Sequence, residues 1–118
     1  GGLFHYMPQG HKLEKISSED IRKSLSQAAL GQPWVAEAAI DIIICAVYER
    51  ATSKYGQRGI RYTDIEVGHA AENIHLQAVA LGLSSVPIGA FRDEAVSKIL
   101  FLPEDERPLY IIPVGYKK

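Results

Sequence analysis

The apolar positions change period several times along the chain, and those changes divide it into elements. Leu3-Phe4-His5-Tyr6, a Met7-Pro8-Gln9-Gly10 turn and His11 to Ile16 form a hairpin pattern, with proline and glycine supplying the turn chemistry. Ser17 or Ser18 then caps a helix with Glu19 and Asp20 in its first turn. Ile21, Leu25, Ala28 and Ala29 form its apolar face and Gly31 its stop. After Pro33 and Trp34, the continuous Ile/Val character of Ala39 to Val47 predicts a strand buried on both faces, the centre of the sheet. Glu49 to Tyr55 follows as a short helix. A long helix runs from Tyr62 or Thr63 to Leu81, with Thr63 or Asp64 near its N-cap and Gly82 at its end.

That long helix is apolar nearly all round. Val67, Ala70, Ile74 and Leu81 make one stripe, while Leu76, Val79, Ala80 and Leu83 extend another, so cover is expected on most sides. Gly68, Ala71, His75 and Ala78 recur at spacings of three and four and would let another backbone approach closely. In so small a chain, the second cover is expected to be another subunit. Ser85 to Ala90 reads as a strand or loop, Asp93 to Leu100 as a helix, Pro103 to Pro108 as a polar connection and Leu109 to Val114 as a final strand. Strands at both ends and in the middle, separated by helices, predict an α+β or α/β sandwich and not a bundle.

Composition narrows the function classes. A chain of 118 residues, 47% hydrophobic, holds one core and not two. Thirteen basic against fourteen acidic residues leave a net charge of −1, with no basic run beyond Lys117-Lys118, which argues against a nucleic-acid surface. The lone Cys45, inside an apolar run, excludes an internal disulfide and reads as a buried thiol. No apolar stretch approaches the roughly 18 residues that span a bilayer. With no signal peptide in view, a cytoplasmic protein is the default. The opening Gly1-Gly2-Leu3, without Met, reads as a piece of something longer.

Candidate chemistry concentrates in Lys54-Tyr55-Gly56-Gln57-Arg58-Gly59-Ile60-Arg61-Tyr62, which leads into Gly68-His69-Ala70-Ala71-Glu72-Asn73. Two tyrosines, two arginines and a lysine in nine positions suit a charged or aromatic ligand; a basic surface turn capping a helix is the plainer alternative. The Glu66/His69 and Glu72/His75 pairs have the spacing of di-iron carboxylate ligands. They lie six residues apart on one helix, however, and so point about 120° away from each other, so no metal site is expected. Gly82 to Gly89 lacks a Gly-Lys-Ser/Thr ending and follows a helix instead of a strand, which excludes a phosphate loop, and no nucleophile elbow is present.

Taken together, Lys54-Tyr55-x-x-Arg58-Gly59-x-Arg61-Tyr62, Glu66-x-Gly68-His69-Ala70-Ala71-x-Asn73, Ala80-Leu81-Gly82-Leu83 and Val86-Pro87-Ile88-Gly89-Ala90-Phe91 resemble the SagB-type dehydrogenases of the nitroreductase family. Gly2 to Tyr6, His11-x-Leu13, Ala28 to Gln32 and Pro108 to Gly115 extend the resemblance over nearly the whole chain. It implies a nitroreductase-like α/β/α sandwich of the α+β class. Such a fold has a mixed, mainly antiparallel sheet and a long central helix, and here its N-terminal part is missing. Residues 1–118 would form a single domain, the C-terminal portion of that fold.

The same resemblance implies FMN at the interface of a homodimer, with NADH or NADPH as a possible electron donor and a small-molecule or peptide-derived substrate. The flavin carries the redox chemistry while the protein orients it and moves protons. By that analogy Pro87, Ile88, Gly89 and Ala90 form the loop against the flavin, although a tight strand connection needs the same small residues. Lys54 and Tyr55 match the pair used for proton abstraction, and a lysine base requires burial or a neighbouring cation. Arg58 and Arg61 either supply that influence or hold acidic side chains such as Glu49 or Asp64. Lys117 and Lys118 fall where a basic residue can assist the FMN phosphate. The family's Arg-rich first-helix motif, which grips that phosphate, is absent. An FMN-dependent oxidoreductase therefore stands beside a second reading, a non-catalytic dimeric remnant or interaction domain.

Overall fold

The computed structural model describes residues 1–117. Strands β1 (Leu3–Met7) and β2 (Lys12–Ser17) form the expected hairpin. Its turn closes where Gly10 and His11 take positive φ and the His11 N–H donates to the Pro8 carbonyl at 3.2 Å. The next helix, α1 (Arg22–Ala28), starts later than the serines suggest. Ser17 Oγ instead accepts the Glu19 N–H in a local turn, and Asp20 accepts from both the backbone and the guanidinium of Arg22, which sets the first helical residue. Glu19 and Asp20 therefore precede the helix and do not occupy its first turn. A short helix α2 (Pro33–Glu37), not expected from the sequence pattern, begins with a proline whose fixed φ suits the first helical position.

Strand β3 (Ile40–Ala46) is followed by α3 (Glu49–Tyr55), α4 (Arg58–Ala80), β4 (Ser84–Ser85), α5 (Asp93–Ile99) and β5 (Arg107–Gly115). The sheet order is β3-β5-β4 and every pairing is antiparallel, in keeping with the mainly antiparallel expectation. The centre of the sheet is β5, not β3. Ile111 and Ile112 are fully buried there, whereas β3 pairs on one side only, leaving most of it half-buried and Ile40 54% exposed. A continuous apolar run thus reports a strand between two layers without stating its place in the order.

Consecutive residues of β5 feed two cores. Ile111 joins Leu25, Ala28, Ala29, Val35, Ile88, Val96 and Leu100 under α1, α2 and α5. Ile112 and Val114 meet Ala71 and Ala78 of α4 on the opposite face. The result is the α/β/α layering and long central helix of a nitroreductase-like fold.

Two details of α4 bear on function. It begins at Arg58, four residues before Tyr62, because Gly56 ends α3 with a positive φ and Gly59 lets the new helix pass against α3. A β-carbon at Gly59 would lie 2.7 Å from the Ala51 carbonyl carbon. Thr63 is not a cap; its hydroxyl donates to the Gly59 carbonyl at 2.8 Å inside the helix. At the other end, Leu83 N–H donates to Ala78 and Gly82 N–H to Val79, a Schellman stop with Gly82 at positive φ. Within the chain, cover reaches one side of α4. Ala71 and Ala78 face β5 of the same chain, and Leu76, Val79 and Leu81 are 61 to 73% exposed.

Candidate active site

The turn after Gly82 leads into the segment of greatest interest. Ser84 and Ser85 pair with Gly115 and Val114, after which the chain leaves the sheet and returns once, at Ile88. Ile88 exchanges both backbone hydrogen bonds with Ile111, at 2.8 and 3.0 Å, and its side chain is buried in the core. Pro87, Gly89 and Ala90 are exposed on either side of this anchor. The far end is held from a distant part of the sequence, where Gln32 Nε2 donates to the Ala29 carbonyl at 2.8 Å and to the Ala90 carbonyl at 2.9 Å. The near end is held from α4, where His75 Nδ1 and Ser85 Oγ share a hydrogen bond of 2.5 Å.

These pins fix the loop while leaving Gly89 open. A β-carbon there would make only ordinary contact with the Tyr110 ring, at 3.8 Å, so no neighbour within the chain demands glycine. A loop with a buried anchor, two tethered ends and an uncovered glycine fits the close approach of a flat ring to backbone.

The second group of residues gathers where α3 meets α4. Tyr55 and Tyr62 meet edge to face, their centroids 5.3 Å apart at 84°. The Lys54 ammonium lies 5.2 Å from the Tyr55 ring centroid. Lys54 is exposed, so the burial that a lysine base requires is not provided within this chain. Arg58 and Arg61 lie on an exposed, open face at the start of α4, beside Gln57, Ile60, Asp64 and Ile65. Among the described residues neither arginine pairs with Glu49 or Asp64. The Asp64 carboxylate instead accepts the Tyr48 hydroxyl at 2.5 Å. Burial and the adjacent Asp64 push the Tyr48 phenol up to about 12, so it stays a donor at neutral pH.

Lys54 and Tyr55 precede α4, whereas Pro87 to Ala90 follow its other end, and a helix of 23 residues is about 35 Å long. The helix thus stands between the two groups in sequence, and within one chain they do not form a single contact cluster. Lys117 is exposed just beyond β5, and Lys118 lies outside the described residues. Cys45 is a free thiol that burial, with Glu106 adding, raises to about 12, which suits a packing residue and not a nucleophile. No cluster of three or more His, Cys, Asp or Glu side chains able to hold a metal exists among the described residues. No helix among them is long and apolar enough to cross a membrane.

Sequence reasoning placed the loop and the Lys-Tyr pair but gave no role to Gln32, His75 or Ser85 in holding the loop. The Ala28-to-Gln32 motif was the available signal for Gln32. No local pattern reveals a hydrogen bond made 58 residues away.

The layered fold and small-residue loop define the class of the protein, an α+β domain of the nitroreductase type. The nitroreductase family model matches residues 5–116, and the chain belongs to that family. It is 45% identical over 116 residues to a protein of Methanocaldococcus jannaschii named as a nitroreductase, covering 98% of this chain and 58% of that one. It is 28% identical to the FMN reductase [NAD(P)H] of Bacillus subtilis, covering 85% of this chain and 44% of the relative. To the microcin B17-processing protein McbC of Escherichia coli it is 29% identical, covering 86% and 38%. A solved nitroreductase structure from Anabaena variabilis superposes with a TM-score of 0.93 at 32% identity, covering 99% of this chain and 24% of that one. The chain therefore spans about half the length, or less, of these relatives.

Proposed function

We propose that this chain is the C-terminal portion of an FMN-dependent oxidoreductase domain that transfers hydride through the flavin. It acts either as a reductase fed by NADH or NADPH or as a SagB-type dehydrogenase of a small or peptide-derived substrate. One observation carries the reading. The 87–90 loop is tethered at Ile88, Gln32 and Ser85 yet leaves Gly89 open to a ring. Bound FMN would supply the uptake and return of hydride, which no side chain can perform. Pro87, Ile88, Gly89 and Ala90 would orient the ring, Lys117 and Lys118 would meet the phosphate, and Lys54 with Tyr55 would hold and move the proton. Likeness to the FMN reductase supports the flavin, and likeness to the microcin-processing protein supports the dehydrogenase branch.

A homodimer accounts for the remaining geometry. Gly68 has nothing within 4 Å of its β-carbon position, and Leu76 and Val79 stay exposed on the same helix. Two α4 helices paired antiparallel would set the Lys54-Tyr55 end of one protomer beside the loop end of its partner, closing a site that one chain leaves divided.

The test is a visible absorption spectrum of the purified protein, followed by titration with FMN while flavin fluorescence and oligomeric state are recorded. One flavin per protomer is expected, with affinity reduced by Gly89→Glu. No binding up to roughly millimolar FMN, where less than about 4 kcal/mol of affinity remains, would assign the chain to the scaffold reading.

A further inference from the structure

His75 stands four residues after Ala71 and three before Ala78, on the side of α4 that packs against β5. A leucine would fill such a place without bringing polar atoms into it. Histidine brings two ring nitrogens, and the fold satisfies one of them. Nδ1 shares its 2.5 Å bond with Ser85 Oγ, whereas Nε2 is buried without a partner among the described residues. A buried nitrogen left unpaired opposes stability. Where a local choice breaks a packing rule in this way, its use lies in what it does elsewhere, and here that is the one bond it makes.

Ser85, at the other end of that bond, is the last residue of β4 and pairs with Val114. Backbone pairing thins immediately beyond it. Val86 N–H reaches the Pro113 carbonyl at 3.2 Å and Pro87 has no N–H to give, until Ile88 rejoins Ile111. The imidazole thus restrains, from a different layer of the fold, the stretch that the sheet holds least. Gly89, the open residue of the loop, follows directly after Ile88. We propose that His75 is a positioning residue: through Ser85 it fixes the direction in which the chain leaves β4, and so sets the 87–90 loop for the flat ring of a flavin. It acts through the loop and not by contact with the ring. Ordering the loop in advance lowers the conformational cost of binding and so raises affinity. The inference rests on the oxidoreductase reading and assigns to the ring end of that site a residue from outside the loop.

The experiment is fluorescence titration with FMN and with riboflavin, which carry the same ring with and without a phosphate. Replacing both polar partners by apolar groups leaves no orphan, so the double variant His75→Leu with Ser85→Ala should melt close to the wild type. It should nevertheless bind both flavins more weakly by the same factor, about fivefold or more, because its loop is ordered only on binding. His75→Asn puts an amide where Nδ1 stands and should keep wild-type affinity. His75→Gln puts it where Nε2 stands and should lose as much as the double variant, although side-chain volume alone would favour glutamine. Wild-type affinity in the double variant, or a loss for FMN with none for riboflavin, would overturn the proposal. Equal losses in the asparagine and glutamine variants would overturn it in favour of packing. Wild-type protein that bound neither flavin would instead overturn the oxidoreductase reading, and amide exchange over residues 86–90 would then decide the tether alone. Faster exchange in the double variant supports it, and unchanged exchange overturns it.

Discussion

His75 and Ser85 share a 2.5 Å hydrogen bond that joins the carboxyl half of α4 to the strand from which the 87–90 loop departs. The other ring nitrogen of His75, Nε2, is buried without a partner among the described residues. Removing the serine hydroxyl would leave the whole imidazole unsatisfied. Ser85→Ala is therefore expected to lower stability by about 1–3 kcal/mol, read from denaturant unfolding. Amide exchange over residues 85–90 should accelerate in the same variant. A cost indistinguishable from zero, with unchanged exchange, would mean that the bond does not hold the loop.

Asp41 is a half-buried residue whose two carboxylate oxygens are both out of water and without a hydrogen-bond partner among the described residues. Its partner in β5 is Pro113, which has no N–H to offer, and the nearby Arg22 is engaged with Asp20 and the Ala38 carbonyl. Burial pushes the carboxyl up to about 7; Arg22 pulls it back in part and Asp20 opposes that pull. A carboxyl whose folded value lies above its unfolded one binds its proton more tightly in the native state. This contribution to stability is therefore present at low pH and lost as pH rises from about 4 through about 7. Melting temperature is expected to fall across that window in the wild type and to change less in Asp41→Asn, which should be the more stable of the two at pH 8. Parallel pH profiles would refute this assignment.

Asp20 works in the opposite sense. Hydrogen bonds from Arg22 hold its carboxyl down at about 2, so its contribution is present above the unfolded value and disappears as pH falls toward 2. Both groups are exposed, and Asp20→Asn should accordingly change neutral-pH stability little, while its acid-unfolding curve should differ from the wild type mainly below about pH 4.

Gly59 and Gly68 lie on the same helix, and the structure separates their roles. A methyl group at Gly59 meets the α3 backbone at 2.7 to 2.9 Å, which neither helix can relieve by a rotamer change. Gly59→Ala is expected to cost on the order of 1–3 kcal/mol by thermal or denaturant unfolding. At Gly68 there is open space, and the higher helix propensity of alanine should raise stability by up to about 1 kcal/mol in the monomer. Gly68→Leu would keep the fold while obstructing close helix approach, so sedimentation should show weaker self-association. Unaltered association would place the dimer contact elsewhere.

Cys45 sits in β3 where the register with β5 slips between Ile44 and Cys45, leaving Leu109 of β5 as the extra residue. With its thiol raised to about 12, little thiolate exists at neutral pH. Alkylation by iodoacetamide at pH 8 should be slow in the native protein and accelerate sharply in denaturant. Rapid labelling of the native protein would contradict that environment.

Much of this architecture is local and therefore legible in the linear chain. The Pro8-to-Gly10 turn, the apolar run of β3, the short α3 and the Gly82 stop each depend on residues within about one turn of one another, where backbone preference acts directly. The motifs from Lys54 to Tyr62 and from Val86 to Phe91 likewise exposed the candidate site as two pieces. What the sequence could not settle was decided by contacts between distant segments. The apolar runs of β3 and β5 look alike, and only assembly of the layers put β5 in the middle, where it can feed Ile111 and Ile112 into two cores. Thr63 has the chemistry of a cap, but the Gly59 backbone passing Ala51 let the helix begin earlier and turned that hydroxyl inward. Likewise the arginines of α4 became uncompensated only when Tyr48, sixteen residues before Asp64, folded across to take its carboxylate. Local propensity chooses elements, whereas burial and the pairing of polar groups across the fold determine which face of each element meets what.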